Sequence, residues 1–370
     1  MTTLNAAHGE LADVAQAMES RMALHRADLE ALVRIPSVSA PGFDADVLRR
    51  SAEAVRQLLA DRGFAGARLL EAPGAHPAVY AELLAAGPDA PTVMLYAHHD
   101  VQPPGDPAEW DSPAFSPHER EGRLYGRGAA DDKAGILVHV AAVDAWLQAR
   151  HRIPVNVKVF IEGEEETGSE HLTEFLGAHS ELLACDALVI TDSVNWKIGV
   201  PAITVTLRGL VDAVVEVRAL DHALHSGMYG GPVPDVLSGL AKLLAAMTDE
   251  HGAVAIPGFS DDVVEPTAVQ RDAIAGLDFD EESFRAEAGL LDGVELAGER
   301  GRGLLERLWL RPVVTVIGID APSVAGSSNT LAPTARARVS VRLGPGQDPV
   351  RARRLLCEWL ESNAPWGLRA

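Results

Sequence analysis

The sequence predicts an α/β protein of two domains. Strand and helix signals alternate through roughly the first 200 residues, as in a layered sheet covered by helices. After Pro201 the pattern changes to short alternating strands of the half-exposed antiparallel kind. Within the first half, three separate strand signals end in histidine or carboxylate residues. A chain of 370 residues, 47% of them hydrophobic, can bury a core in each domain.

The elements follow in order. Apolar residues from Leu11 to Val33 predict a helix that Pro36 stops. A second helix is expected from Val47 to Asp61. Pro77–Leu84 and Thr92–Ala97 read as strands, and the segment from Gln102 to Gly122 as an ordered loop rich in Pro, Asp and Trp. Ile136, Val140 and Val143 mark one face of a helix over Asp132–Ala149. Val155–Ile161 is a buried strand, Glu170–His179 a helix and Ala187–Thr191 a strand.

Beyond Pro201, strands are expected at Ile203–Leu207, Val211–Val217, Val313–Ile317 and Ala335–Leu343. Helices are expected at Pro234–Met247 and Pro349–Ser362. The acidic, glycine-rich stretch from Gly252 to Arg302 reads as an insertion with short helices.

The formal net charge of −21 serves solubility and repels phosphate backbones and anionic membrane surfaces, so neither nucleic acid nor membrane is an expected partner. Cys185 and Cys357 form no CxxC and are expected to be buried thiols in a reducing compartment. Met1–Ser20 is polar and lacks a signal-peptide pattern, so the cytoplasm is the expected location.

The chemistry gathers at the strand ends, where open α/β sheets bind their ligands. In the extended segment after Thr92–Ala97, His98 and Asp100 point the same way, so the carboxylate can orient the imidazole. The second strand ends in Glu162-Gly163-Glu164-Glu165-Glu166 and the third in Thr191-Asp192. Between the first two, a glycine-rich turn brings Asp131 to a helix N-terminus. Each piece alone has a plainer meaning: a helix cap for Asp131, an acidic first turn for Glu164–Glu166, a turn for Asp192. Together, one histidine and several acids suit a divalent metal site.

These motifs, H-H-D-V-Q-P-P from His98, Y-G-R-G-A-A-D-D-K from Tyr125, E-G-E-E-E-T-G-S from Glu162 and I-T-D from Ile190, resemble the zinc metallopeptidase superfamily of carnosinases, aminoacylases and succinyl-diaminopimelate desuccinylase. The likeness is greatest to its dipeptidase branch, through an insertion resembling Ile256-Pro257-Gly258-Phe259 to Glu265-Pro266-Thr267.

The resemblance implies a catalytic domain with a mixed, mainly parallel sheet over residues 1–200 and an α+β lid and dimerisation domain over 201–370. It implies two Zn²⁺ per subunit in the complete enzyme, with Mn²⁺ or Co²⁺ as substitutes, and a homodimer. His98, Asp131, Glu166 and Asp192 take the places of metal ligands, with Asp131 bridging and Asp192 on the zinc that carries His98. Asp100 takes the place of the orienting acid and Glu165 that of the general base; Glu162 and Glu164 are structural or surface acids, and His99 receives no metal. A cis peptide between Asp131 and Asp132 is also implied.

In the second domain, His225 matches the histidine that reaches a partner subunit's site, with His222 nearby as the weaker match. Arg342 matches the residue that holds a substrate carboxylate, which a guanidinium fork suits, and Asn329 and Thr330 match substrate-holding positions.

The implied activity is hydrolysis of small peptides, with N-acyl amino acid deacylation as the alternative within the superfamily. The superfamily's final segment, which returns to the catalytic domain and supplies a last histidine ligand, has no counterpart before Ala370, and His118, His139, His151 and His171 stand in the wrong contexts. The sequence therefore reads as C-terminally truncated, and a non-catalytic remnant is the further alternative.

Overall fold

The structure is a computed structural model that describes residues 11–193, 195–204 and 206–370. It divides into two compact units, Met1–Ile203 and Thr204–Ala370. The expectation for Met1–Ser20 lies partly outside the described residues, as does Val205 of the strand expected at Ile203–Leu207. No helix among the described residues is long and apolar enough to cross a membrane.

The first unit opens with two helices, α1 (Ala12–Val33) and α2 (Ala45–Asp61). Asp44 caps α2 by accepting a hydrogen bond from the Asp46 N–H. The strands that follow are β1 (Ala65–Leu70), β2 (Ala78–Leu83) and β3 (Thr92–His98), then a small hairpin of β4 (His118–Arg120) and β5 (Arg123–Tyr125). Helix α3 (Lys133–Arg150) leads to β6 (Asn156–Glu162), the short helices α4 (Leu172–Ala178) and α5 (Ser180–Leu183), and β7 (Ala187–Ile190).

Five strands form one mixed sheet in the order β1-β2-β6-β3-β7. β1, β2 and β6 pair antiparallel, whereas β3 lies between β6 and β7 and is parallel to both. The expected ligand-bearing strands are therefore the three mutually parallel neighbours, and their carboxyl ends lie at one edge. One face of the sheet buries Val79, Val159 and Ile161 against Val55, Leu59, Ile136 and Val140 of α2 and α3. The other buries Tyr80, Met94 and Phe160 against Phe175 and Leu183. Each such side chain contributes about 1.5–3 kcal/mol by leaving water.

Lys133, fully buried, ties the start of α3 to the end of α1. Its Nζ donates to the Leu32 carbonyl at 2.8 Å and the Ile35 carbonyl at 2.7 Å. These carbonyls belong to the last turn of α1 and the residues after it, where helical partners run out.

The second unit holds β8 (Leu210–Arg218), β9 (Leu224–His225), α6 (Ser226–Tyr229) and α7 (Val236–Ala245). Within the insertion lie α8 (Ala268–Ala275) and α9 (Glu281–Glu287), followed by α10 (Leu304–Leu310). The remaining elements are β10 (Val313–Asp320), β11 (Thr330–Leu331), β12 (Thr334–Arg342) and α11 (Pro349–Ser362). An antiparallel sheet runs β10-β12-β8. Its inward residues Val211, Val215, Val339 and Val341 pack against Leu240 and Leu243 of α7 and Leu356 and Leu360 of α11.

Two expectations are corrected. The described residues of Ile203–Leu207 are not in a strand, and Ile203 and Leu207 are exposed. An alternating pattern five residues long has no strand neighbour to complete there. Cys185 and Cys357 are exposed rather than buried. Cys357 stands one position past the buried stripe Ala352, Leu356, Leu360 of α11, which rotates it toward solvent.

Candidate metal centre

The centre is assembled from the ends of β3, β6 and β7 and the turn before α3. His98, the last residue of β3, has a fully buried side chain. Its Nδ1 lies 3.1 Å from the Asp100 carbonyl and 3.3 Å from Asp100 Oδ1. Nδ1 donates to Asp100, and Nε2 on the other side of the ring faces carboxylates: Asp131 Oδ1 at 3.1 Å, Glu165 Oε2 at 3.8 Å and Asp192 Oδ2 at 4.0 Å.

Asp100 is the hub. It is buried, accepts the Ser39 hydroxyl at 2.7 Å, and receives the backbone N–H groups of Glu165 at 3.2 Å and Glu166 at 3.0 Å. One carboxylate thus fixes both the imidazole and the acid run that follows β6. Burial alone would raise its pKa, but the contact with His98 and the Ser39 hydrogen bond hold it below the usual aspartate value.

The neighbouring groups show the strain of concentrated negative charge. Burial works against a charged His98, yet the Asp100 hydrogen bond and the charges of Asp100, Asp132 and Glu165 overcome it and push the imidazole up to about 10. Burial, with repulsion from Asp192, Glu166 and Asp100, pushes Glu165 up to about 7. Asp132 is likewise pushed up to about 7, chiefly by burial. Its Oδ2 accepts the His98 N–H at 3.1 Å, while Oδ1 is buried without a hydrogen bond. The Asp131–Asp132 peptide is cis.

Two glycines make the close approach possible. A Cβ on Gly135 would fall 2.1 Å from Asp132 Oδ1 and 2.6 Å from Thr191 Oγ1. One on Gly163 would fall 2.6 Å from the Pro77 carbonyl and 2.8 Å from His99 Nε2. His99 itself turns away from the cluster and bonds the Pro77 carbonyl at 2.9 Å; burial lowers its pKa to about 4. Glu164 is buried and accepts the His171 N–H at 2.6 Å, and Glu162 accepts the Tyr96 hydroxyl at 2.5 Å.

The residues fit a divalent cation. Ligand atoms of His98, Glu165 and Asp192 lie within 4.8 Å of one another. An imidazole nitrogen ringed by several carboxylates draws positive charge, a proton or a cation, to the space between them, and this nitrogen–oxygen donor set is one that zinc accepts. The structure thus brings together His98, Asp131, Glu165 and Asp192, with Asp100 behind them. Glu166 stands next to them but turns to Gln102, whose N–H and Nε2 donate to its carboxylate at 3.1 and 2.8 Å. Gln102 was not among the residues expected from sequence; its place in the H-H-D-V-Q-P-P motif was the available signal.

In the second unit, β9 and β11 set His225 opposite Thr330, and the Ser226 N–H donates to the Asn329 carbonyl at 2.9 Å. His225, Asn329 and Thr330 are thereby side by side and exposed. Arg342 ends β12, opposite Leu210.

Comparison with known proteins gives the centre its context. The model of peptidase family M20/M25/M40 matches residues 94–364. The chain is 36% identical over 282 residues to a cysteinylglycine-S-conjugate dipeptidase of Corynebacterium striatum, covering 76% of this chain and 60% of that protein. It is 31% identical to the mouse Beta-Ala-His dipeptidase, covering 77% of this chain and 58% of that one. Among solved structures, human carnosine dipeptidase 1 superposes with a TM-score of 0.80 at 29% identity, covering 95% of this chain and 76% of that chain. The chain thus spans about 60% of the length of the curated relatives it matches.

Proposed function

From the premise that this chain belongs to peptidase family M20/M25/M40, we propose that it is the greater part of a metal-dependent dipeptidase that hydrolyses the amide bond of small peptides. The observation that carries this is the convergence of His98 Nε2 with Asp131, Glu165 and Asp192 at the ends of parallel strands. The dipeptidase names of the relatives support the substrate class.

His98, Asp131, Glu166 and Asp192 would hold the zinc ions. When bound, the metal pair polarises the scissile carbonyl and lowers the pKa of a water to about 7. Glu165 takes the proton of the attacking water and returns it to the leaving nitrogen. Burial of the Glu165 side chain favours its protonated form, which suits a carboxyl that must take up a proton. Asp100 holds the His98 tautomer and the backbone of the acid run. Asn329, Thr330 and Arg342 would hold the substrate and His225 would stabilise the oxyanion in a partner subunit of a homodimer, on the resemblance of their motifs. The second unit is then the lid and dimerisation domain, and the protein acts in the cytoplasm.

The division of labour between Glu165 and Glu166 is the part to test. Glu165→Gln should abolish dipeptide hydrolysis and leave bound zinc nearly unchanged, whereas Glu166→Gln should lower bound zinc. The opposite pattern would reverse the two roles. Release of N-acyl groups in place of dipeptide cleavage would make the protein a deacylase.

A further inference from the structure

The outer face of the three-stranded sheet in the second unit carries a row of arginines, and most have a carboxylate partner. Arg338 pairs with Asp212, Arg336 with Asp320, and Arg218 lies 3.7 Å from Glu216. Arg342 and Arg208 break this rule. Among the described residues, neither side chain forms an ion pair or a hydrogen bond.

The register puts the two side by side. Arg342 is paired across the strands with Leu210 and points away from the core, since its neighbours Val341 and Leu343 are buried. The pairing continues past the end of β8, because the Leu343 N–H donates to the Gly209 carbonyl at 2.8 Å. A Cβ on Gly209 would point at the Leu343 side chain, 3.2 Å away, so Gly209 faces the core. Arg208 precedes Gly209 and so stands one position beyond the Leu343–Gly209 pair, near enough for the Arg342 charge to act on it.

Arg208 is also partly buried. Burial, and then the nearby Arg342 charge, lower its pKa. Two adjacent guanidiniums, one half out of water and neither neutralised, are costly for a protein to keep, and this chain carries 53 acidic residues against 32 basic ones. The arrangement is stable in the presence of an anion that spans both forks.

We propose that Arg208 and Arg342 together form a site for two carboxylates on one ligand, so that the preferred dipeptides end in aspartate or glutamate. Arg342 takes the terminal carboxylate and Arg208 the side-chain carboxylate. This rests on the dipeptidase reading for the peptide, but not for the anion.

The test is calorimetric titration of the 370-residue chain at low ionic strength with Ala-Glu, Ala-Gln and glutarate. Ala-Glu should bind about tenfold or more tightly than Ala-Gln, the worth of one charge-assisted pair. Arg208→Gln should erase that preference, Arg208→Lys should keep part of it, and Arg342→Gln should weaken both peptides. The melting temperature of Arg208→Gln should stay level or rise, because a repulsion is removed. Equal affinities for Ala-Glu and Ala-Gln in the unmodified chain overturn the proposal, as does a preference that survives Arg208→Gln. A lowered melting temperature with unchanged ligand preference makes Arg208 a structural residue and overturns it too. Glutarate bound in an Arg208-dependent way, with neither dipeptide bound, supports the two-arginine site and overturns the dipeptide reading instead.

Discussion

The acidic clusters of the two units are built on different terms. In the second unit, Glu265 is held by both terminal nitrogens of Arg302 at 2.5 and 2.6 Å and by Arg311 at 3.2 Å. Glu299 also meets both arginines, at 3.2 and 2.5 Å. In the first unit, Asp131, Glu165 and Asp192 face one imidazole nitrogen, and among the described residues no lysine or arginine pairs with any of them. The first arrangement is complete as it stands and serves to hold an insertion together. The second concentrates negative charge around a donor atom, which is the condition for a bound cation.

The largest effect is expected at Asp100. Asp100→Ala would strip the acceptor from His98, Ser39 and the backbone of Glu165 and Glu166. Loss of one partner from a buried charged pair costs about 3–5 kcal/mol. Denaturant unfolding of the metal-free variant should show a loss of that size, and zinc should no longer restore stability. A loss below about 1 kcal/mol would mean that Asp100 is not the hub.

A pH series sharpens the contrast. Glu165 is raised from 4.5 to about 7 and Asp132 from 3.8 to about 7. Both bind protons more tightly folded than unfolded. Their stabilising contribution is therefore complete below their unfolded pKa values and is lost as pH rises toward 7. Metal needs the deprotonated carboxylates, so the gain in melting temperature on adding zinc should grow over the same interval. A zinc-induced gain that is flat from about pH 5 to pH 8 would contradict this coupling.

The smallest effect is expected in the second unit. Glu265→Gln removes an exposed partner of Arg302, Arg311 and Arg271. Solvent screens such pairs, so the change in stability should stay within about 1 kcal/mol. Zinc binding should be untouched, and a change in zinc affinity would show that the charge of the two units is not independent.

Much of this was legible from residue order. Asp348-Pro349 announces α11, because Asp348 caps it by accepting the Val350 N–H and Pro349 needs no donor at the first helical position. The three ligand-bearing strands were visible as apolar runs ending in acids or histidine. β1 was not, because Ala-Gly-Ala-Arg-Leu-Leu has a glycine and no alternation, and it stands at the sheet edge with most of its residues partly or fully exposed. The hairpin of β4 and β5 was missed because its strands are three residues each. The hold of Gln102 on Glu166 joins residues 64 apart, so the motif could mark Gln102 but not name its partner. Exposure of Cys185 was hidden because β7, which follows it, is an exposed edge strand whose apolar sequence imitates a buried one.

The most direct measurement is anomalous diffraction at the zinc edge from crystals of the chain grown with zinc. A peak is expected within about 2.0–2.2 Å of His98 Nε2 and of an Asp192 oxygen, absent in crystals of His98→Ala. Zinc bound only at sites away from the strand ends, or a peak unaffected by His98→Ala, would contradict it.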